Sequence, residues 1–209
     1  MKSDRRSASR SRSDRRGQAH TLEAIAASIL LLSSIAFALQ VTAVTPLTGS
    51  TSNQRIEDHQ STLAEDVLAS QSANETLKAG LLYWNESERN WHGAQWDGYH
   101  DGAPENISLG QALNDALLDR GVAYNLNVYF WRNDQRIREQ VVYLGEPSDH
   151  ASVATWTVTL YDDDRLRDAD GNLTATTLSD AEDAYFAPDI EPDGAVYNVV
   201  VVEVVTWRM

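Results

Sequence analysis

The chain of 209 residues is predicted to be α+β, with a long N-terminal membrane-spanning helix followed by a small helix-plus-antiparallel-sheet outer domain of about four strands. Three observations predict it. Residues 24–54 contain no charged side chain, and apolar density is highest from Ala24 to Val44. Those 21 residues would reach roughly 30 Å as a helix, the thickness of a bilayer hydrocarbon core. Helical periodicity marks residues 53–71, 72–82 and 108–117, with a loop from Trp84 to His100 between them, and alternating or valine-rich segments mark residues 122–207.

The elements follow in order. Residues 1–17 form a basic leader and residues 18–45 the hydrophobic span; residues 46–209 form the outer domain. Thr45-Pro46-Leu47-Thr48-Gly49-Ser50-Thr51-Ser52 reads as a polar, turn-rich exit from the membrane. Residues 53–71 read as a helix with Ile56, Leu63, Val67 and Leu68 roughly on one side. Ser72-Ala73-Asn74-Glu75 is a capping-box pattern that restarts helix through Leu77, Leu81 and Leu82. Ser108-Leu109-Gly110-Gln111 is a second such pattern. It opens a helix whose Leu109, Ala112, Leu113, Ala116 and Leu117 form one apolar face, with Gly121 as its stop.

Strands come next. Val122, Tyr124, Leu126, Val128 and Phe130 alternate with Asn125 and Asn127, and Asn133-Asp134 suits a hairpin turn to a strand from Ile137 to Leu144. In residues 152–161, Ala154, Trp156, Val158 and Leu160 oppose Thr155, Thr157 and Thr159, which implies one solvated face and an antiparallel sheet. Tyr197 to Trp207 is apolar on both faces, as a central strand would be.

Charge is divided along the chain. Residues 1–16 carry seven Lys/Arg and two Asp, net +5, whereas residues 45–209 carry ten Lys/Arg and 28 Asp/Glu, net −18. A basic flank before a span marks the cytoplasmic side, so the N-terminus is expected inside and the acidic domain outside. Such an acidic domain excludes nucleic acid and anionic lipid surfaces as partners. Only Lys2 and Lys78 are lysines, against fifteen arginines, and Asp outnumbers Glu nineteen to twelve. Acid-rich, lysine-poor surfaces resemble those of proteins from halophilic archaea, although an acidic secreted domain would show the same sign. The chain has no cysteine, which rules out disulfide, zinc-thiolate and cysteine-nucleophile chemistry.

Arg15-Arg16-Gly17-Gln18-Ala19-His20-Thr21-Leu22-Glu23 stands at the head of the apolar run. A carboxylate in the first turn favours the positive end of the helix dipole, yet beside hydrocarbon it is costly unless paired. Arg16, Gly17, Gln18, Ala19 and Glu23 resemble the processing site and first helix of archaeal type IV pilin-like proteins. That resemblance implies removal of the leader by a prepilin-peptidase-like protease, assembly with other pilin-like subunits in the membrane, and pairing of Glu23 with the new N-terminal amine of a neighbour. It also implies Glu as the fifth residue of the mature chain. A cut after Gly17 makes Glu23 the sixth and a cut after Gln18 makes it the fifth, so both positions stay open. Two other readings stand beside it: a secretory signal cut after Ala36-Phe37-Ala38, and an uncut signal anchor.

Little chemistry is written in the outer domain. Four sequons, at Asn74, Asn85, Asn106 and Asn172, offer glycosylation in an extracellular setting. Asp162-Asp163-Asp164 and Asp168-Ala169-Asp170-Gly171-Asn172 invite a calcium reading, but Leu166 and Thr177 occupy the positions where an EF-hand needs its first ligand and its bidentate Glu. No metal site and no cofactor is therefore assigned. Trp84, Trp91, His92, Trp96, Tyr99 and His100, with Asp97 and Asp101, form an aromatic segment that serves as satellite core or subunit contact, as a sugar platform, or as a metal site. No nucleophile motif, glycine-rich phosphate loop or ordered acid pair is visible, and a non-enzymatic protein is expected.

Val158-Thr-Leu-Tyr-Asp-Asp-Asp-Arg-Leu and Tyr197-Asn-Val-Val-Val-Val-Glu-Val-Val-Thr-Trp-Arg-Met resemble segments of haloarchaeal pilin-like membrane proteins. The expectation is a pilin- or pseudopilin-like structural subunit of a cell-surface filament or secretion-type assembly. The alternative is a monomeric, membrane-anchored module that binds a glycan or protein partner.

Overall fold

Asn133 and Asp134 both take left-handed backbone conformations, φ 50° and 59°, and close a two-residue hairpin. Their short polar side chains tolerate that region, and the turn's twist matches that of the strands it joins. The computed structural model describes residues 20–37 and 60–208, which belong to two units, Met1–Ser52 and Asn53–Met209. Of the first unit, the described part is a single helix, His20–Phe37.

The second unit is α+β. Its strands among the described residues are β1 (Trp84–Asn85), β2 (Asn90–Trp91), β3 (Val122–Arg132), β4 (Gln135–Tyr143), β5 (Ser152–Tyr161), β6 (Arg165–Arg167), β7 (Leu173–Thr177) and β8 (Val196–Arg208). β4, β3, β8 and β5 form one antiparallel sheet in that order, so the valine-rich β8 is indeed interior. The other strands form two small hairpins, β1–β2 and β6–β7. The alternation of sequence does not reveal these, because two to five residues are too short to show a period.

Alternation within the four long strands sorts the sheet's two faces. Tyr124, Leu126, Val128 and Phe130 of β3, Val200, Val202 and Val204 of β8, and Ala154, Val158 and Leu160 of β5 are buried together. Against them lie Leu77 and Leu81 of the Thr76–Leu81 helix, Leu109 and Leu113 of the Ser108–Ala116 helix, and Leu117 just beyond it. Ala64 and Leu68 of the 60–73 helix join the same core, with Leu63 and Val67 partly buried beside them. Ile56 lies outside the described residues.

The opposite face carries Thr155 and Thr157 in solvent and Thr159 half-buried. Asn125 and Asn127 share this face but are buried, at 3% and 1% exposure. Asn125 is held by the Leu144 N–H and the Gly145 carbonyl, and Asn127 donates to Glu203 and accepts from Arg138. Tyr129 also donates to Glu203, so a polar network covers the middle of that face.

Neither predicted capping box forms. The 60–73 helix runs through Ser72, and Glu75 interrupts it in the left-handed region at φ 59°, leaving no extended residue to cap the next helix. The Thr76 hydroxyl instead bonds back to the Gln71 carbonyl. Before Ser108, Ile107 takes the extended N-cap conformation, which places Ser108 inside the first turn. Gly110 fits there because a Cβ would overlap the Pro104 carbonyl. Among the described residues a capping box does form between Thr177, the last residue of β7, and Asp180.

Candidate functional site

The His20–Phe37 helix, 18 residues with mean hydropathy 1.6, is long and apolar enough to cross a membrane, and none of it is buried within the protein. At about 1.5 Å per residue it measures roughly 27 Å. Leu22, Ile25, Ile29, Leu30, Leu31, Leu32, Ile35 and Phe37 are all more than half exposed. Two of its hydroxyls are satisfied locally. Ser28 donates to the Ala24 carbonyl at 2.7 Å and Ser34 to the Leu31 carbonyl at 2.8 Å, so these hydroxyls need no water. Glu23 is the fourth described residue of the helix, and its Oε2 lies 3.7 Å from His20 Nδ1, with both side chains largely exposed. Arg16, Gly17, Gln18 and Ala19 lie outside the described residues, as do residues 38–45 of the predicted span.

The aromatic segment divides into two parts. Trp84 and Trp91 face each other across the β1–β2 hairpin with ring centroids 4.9 Å apart, edge to face, and both are buried. Tyr185, Phe186 and Phe130 complete this cluster, and Trp84 Nε1 donates to the Ala184 carbonyl at 2.7 Å. These rings are core. His92 donates to the Arg167 carbonyl and stacks near Tyr83, which ties β2 to β6.

The other part is a surface turn. The Gln95–Gly98 bridge presents Trp96 at 91% exposure. Beyond it Tyr99 hydrogen-bonds along the β4 edge, its N–H to Val141 and its carbonyl from Tyr143. Gly98, at φ 107°, permits that approach, since a Cβ would stand 2.7 Å from the Val141 carbonyl. His100 donates to Asp97 at 2.9 Å. The bond to Asp97 raises the His100 pKa above 6.5, and the same bond lowers that of Asp97. His92 and His100 thus serve separate hydrogen bonds. Among the described residues no group of three or more His, Asp or Glu is placed to hold a metal ion.

The two acidic turns are built from internal bonds. Asp164 accepts from Lys78 Nζ at 2.9 Å and from the Tyr161 N–H, and the Lys78 ammonium also lies 4.8 Å from the Tyr161 ring. Asp168 accepts the N–H groups of Asp170 and Asn172, which turns β6 into β7 and holds its carboxyl below the usual range. Asp162 differs. Burial, then the charges of Asp189, Asp163 and Glu191, push its pKa up, and its Oδ1 is enclosed with no hydrogen-bond partner among the described residues.

The four sequons fare unequally. Asn74, Asn106 and Asn172 are exposed, and Asn85 is half-buried in β1. Asn106 is pinned, its amide donating to both the Tyr83 hydroxyl and the Ala169 carbonyl at 2.7 Å. A further surface feature is not apparent from local sequence. Trp131 and Ile190, each more than 40% exposed, line a groove of about 530 Å³ with Pro188 and Val199. It exists only because the 188–190 loop returns beside the β3–β4 hairpin.

No curated protein and no solved structure matches the chain. One family does, over residues 16–206, and this range takes in both the apolar helix and the sheet domain. The chain belongs to DUF7288, a family of unknown function.

Proposed function

We propose that this protein is a membrane-anchored, pilin-like structural subunit with no enzymatic role. In this reading the leader, residues 1–17, stays cytoplasmic and is removed near Gly17-Gln18 by a prepilin-peptidase-like protease. Residues 18–45 lie in the membrane, and the acidic sheet domain faces outward. The observation that carries the reading is the His20–Phe37 helix, solvent-exposed along its whole length and uncharged except for Glu23 at its start. A tether needs only the apolar span. A carboxylate at the hydrocarbon threshold calls for a partner, and a neighbouring subunit's N-terminal amine is one. The family match supports reading the apolar helix and the domain as features of one family, because it runs over residues 16–206 and so covers both.

The alternative, a monomeric anchored binding module, is favoured by Trp96, which stands 91% exposed on a turn fastened to the sheet edge. Cross-linking separates the two. The chain has no cysteine, so Ile29→Cys introduces a single thiol on the apolar helix. In native membranes an assembling subunit forms disulfide-linked dimers through this position, and Glu23→Ala abolishes them. A monomeric tether gives no dimer in either background.

A further inference from the structure

Two sequons 32 positions apart in the chain line the same groove. Asn74-Glu75-Thr76 and Asn106-Ile107-Ser108 both border it in full, along with Asp170 and Gly171, around a volume of about 260 Å³. Asn172, the next residue, opens the third sequon, Asn172-Leu173-Thr174. The Gly171 Cα side faces Asn106 and Ile107, with a built Cβ 3.8–3.9 Å from them. Two sequons thus border one groove, and the third begins one residue beyond its rim in the β6–β7 turn, although they come from three segments of the chain.

Hydrogen-bond capacity distinguishes them. An asparagine amide has two N–H donors, and an N-linked one keeps one. Asn74 Nδ2 makes one bond, to the Ser70 carbonyl at 3.0 Å, and the residue is exposed. Asn172 is exposed, and its side chain supports the Asp168 carboxylate. Asn106 is also exposed but commits both donors, to Tyr83 Oη and to the Ala169 carbonyl, and Tyr83 Oη donates to that same carbonyl at 2.9 Å. A saccharide on Asn106 would break this closed triangle over the buried Tyr83, whereas one on Asn74 or Asn172 leaves room for the existing bond.

We propose that this groove is the glycan-bearing face of the domain, with Asn74 and Asn172 as acceptors and Asn106 as an unmodified structural residue. The donor is an oligosaccharide linked through phosphate to a lipid carrier, brought by a membrane glycosyltransferase. The amide nitrogen forms a bond to the anomeric carbon, and the bond from that carbon to the phosphate oxygen breaks. The lipid phosphate leaves with the electron pair, and one amide proton passes to solvent. The open threonine face of the sheet stays free of sugar.

The inference rests on the outward orientation proposed above. The test is mass spectrometry of glycopeptides from full-length protein extracted from the membranes of the organism that makes it, beside protease digestion of intact cells. The expected result is saccharide on Asn74, Asn172 or both and none on Asn106. Asn74→Gln and Asn172→Gln would then remove mass, while Ser108→Ala would change nothing. A protease-accessible domain with saccharide on Asn106, or on neither Asn74 nor Asn172, overturns the inference and leaves the proposed function standing. A domain shielded from protease overturns the orientation itself.

Discussion

The Tyr124 hydroxyl donates to Asn114 Oδ1 at 2.7 Å while accepting the Ala103 N–H at 2.8 Å. Asn114 Nδ2 closes the ring by donating to the Ala103 carbonyl at 2.9 Å. A strand, a helix and the loop before that helix are therefore fastened by one buried circuit, and burial pushes the Tyr124 phenol above its usual range. Removing one member leaves buried polar atoms without partners, at a cost of about 1–3 kcal/mol. Asn114→Ala and Tyr124→Phe should each lower Tm by roughly 2–4 °C per kcal/mol, measured by circular dichroism on the full chain in detergent. An unchanged Tm in both variants would remove the circuit from the list of what holds the fold.

The Asp97–His100 pair makes the surface turn pH-sensitive. His100 is raised by its bond to Asp97, with the charge of Asp101 and contact with Tyr143 adding to it, so its stabilisation is complete below about pH 6.5 and is lost as pH rises through the elevated value. Asp97 is lowered, so its share is present above its ordinary carboxylate range and is lost in stronger acid. NMR titration of the His100 ring should give a midpoint above 6.5, falling in Asp97→Asn. A midpoint unaffected by that substitution would contradict the pairing.

Asp162 has the opposite effect on stability. Its pKa is raised, so the fold disfavours the carboxylate, and the penalty is absent in acid and complete once pH exceeds the elevated value. Asp162→Asn should therefore raise Tm at pH 7 and do little at pH 3. A lower Tm at pH 7 would show that the enclosed Oδ1 is bonded after all.

Salt should stabilise the domain. Residues 45–209 carry a net charge of −18, and screening shortens from about 10 Å at 0.1 M to about 3 Å at 1 M salt. Lys78, the only lysine among them, forms a partly buried pair with Asp164 that salt screens less than the exposed carboxylates. Thermal unfolding in KCl from 0.1 to 2 M should show a rising Tm. A flat or falling curve would count against the halophilic reading of the composition.

Elements with a long period were legible in the sequence. The alternation of β3 and the stripe Leu109, Leu113, Leu117 predict buried faces that the structure bears out. The two-sided apolarity of β8 predicts its interior place and Asn133-Asp134 the turn, whereas Trp156, expected on the buried face of β5, is 36% exposed. What failed depends on context. Ser72 and Ser108 match a capping pattern, but the backbone of Glu75 and the close packing of Gly110 on Pro104 decide where those helices begin. Trp84 and Trp96 are of one residue type in one segment, yet one is core and the other is 91% exposed. The gathering of Asn74, Asn106 and Gly171 around one groove is a tertiary event that no local pattern encodes.

In the proposed subunit the leader is cut away to leave an apolar helix headed by Glu23. The direct measurement is the N-terminal sequence of the protein extracted from native membranes. A chain beginning at Gln18 or Ala19 is expected, and the choice between them decides whether Glu23 is the sixth or the fifth residue. An intact leader, or a chain beginning at Leu39, would contradict the proposed cut.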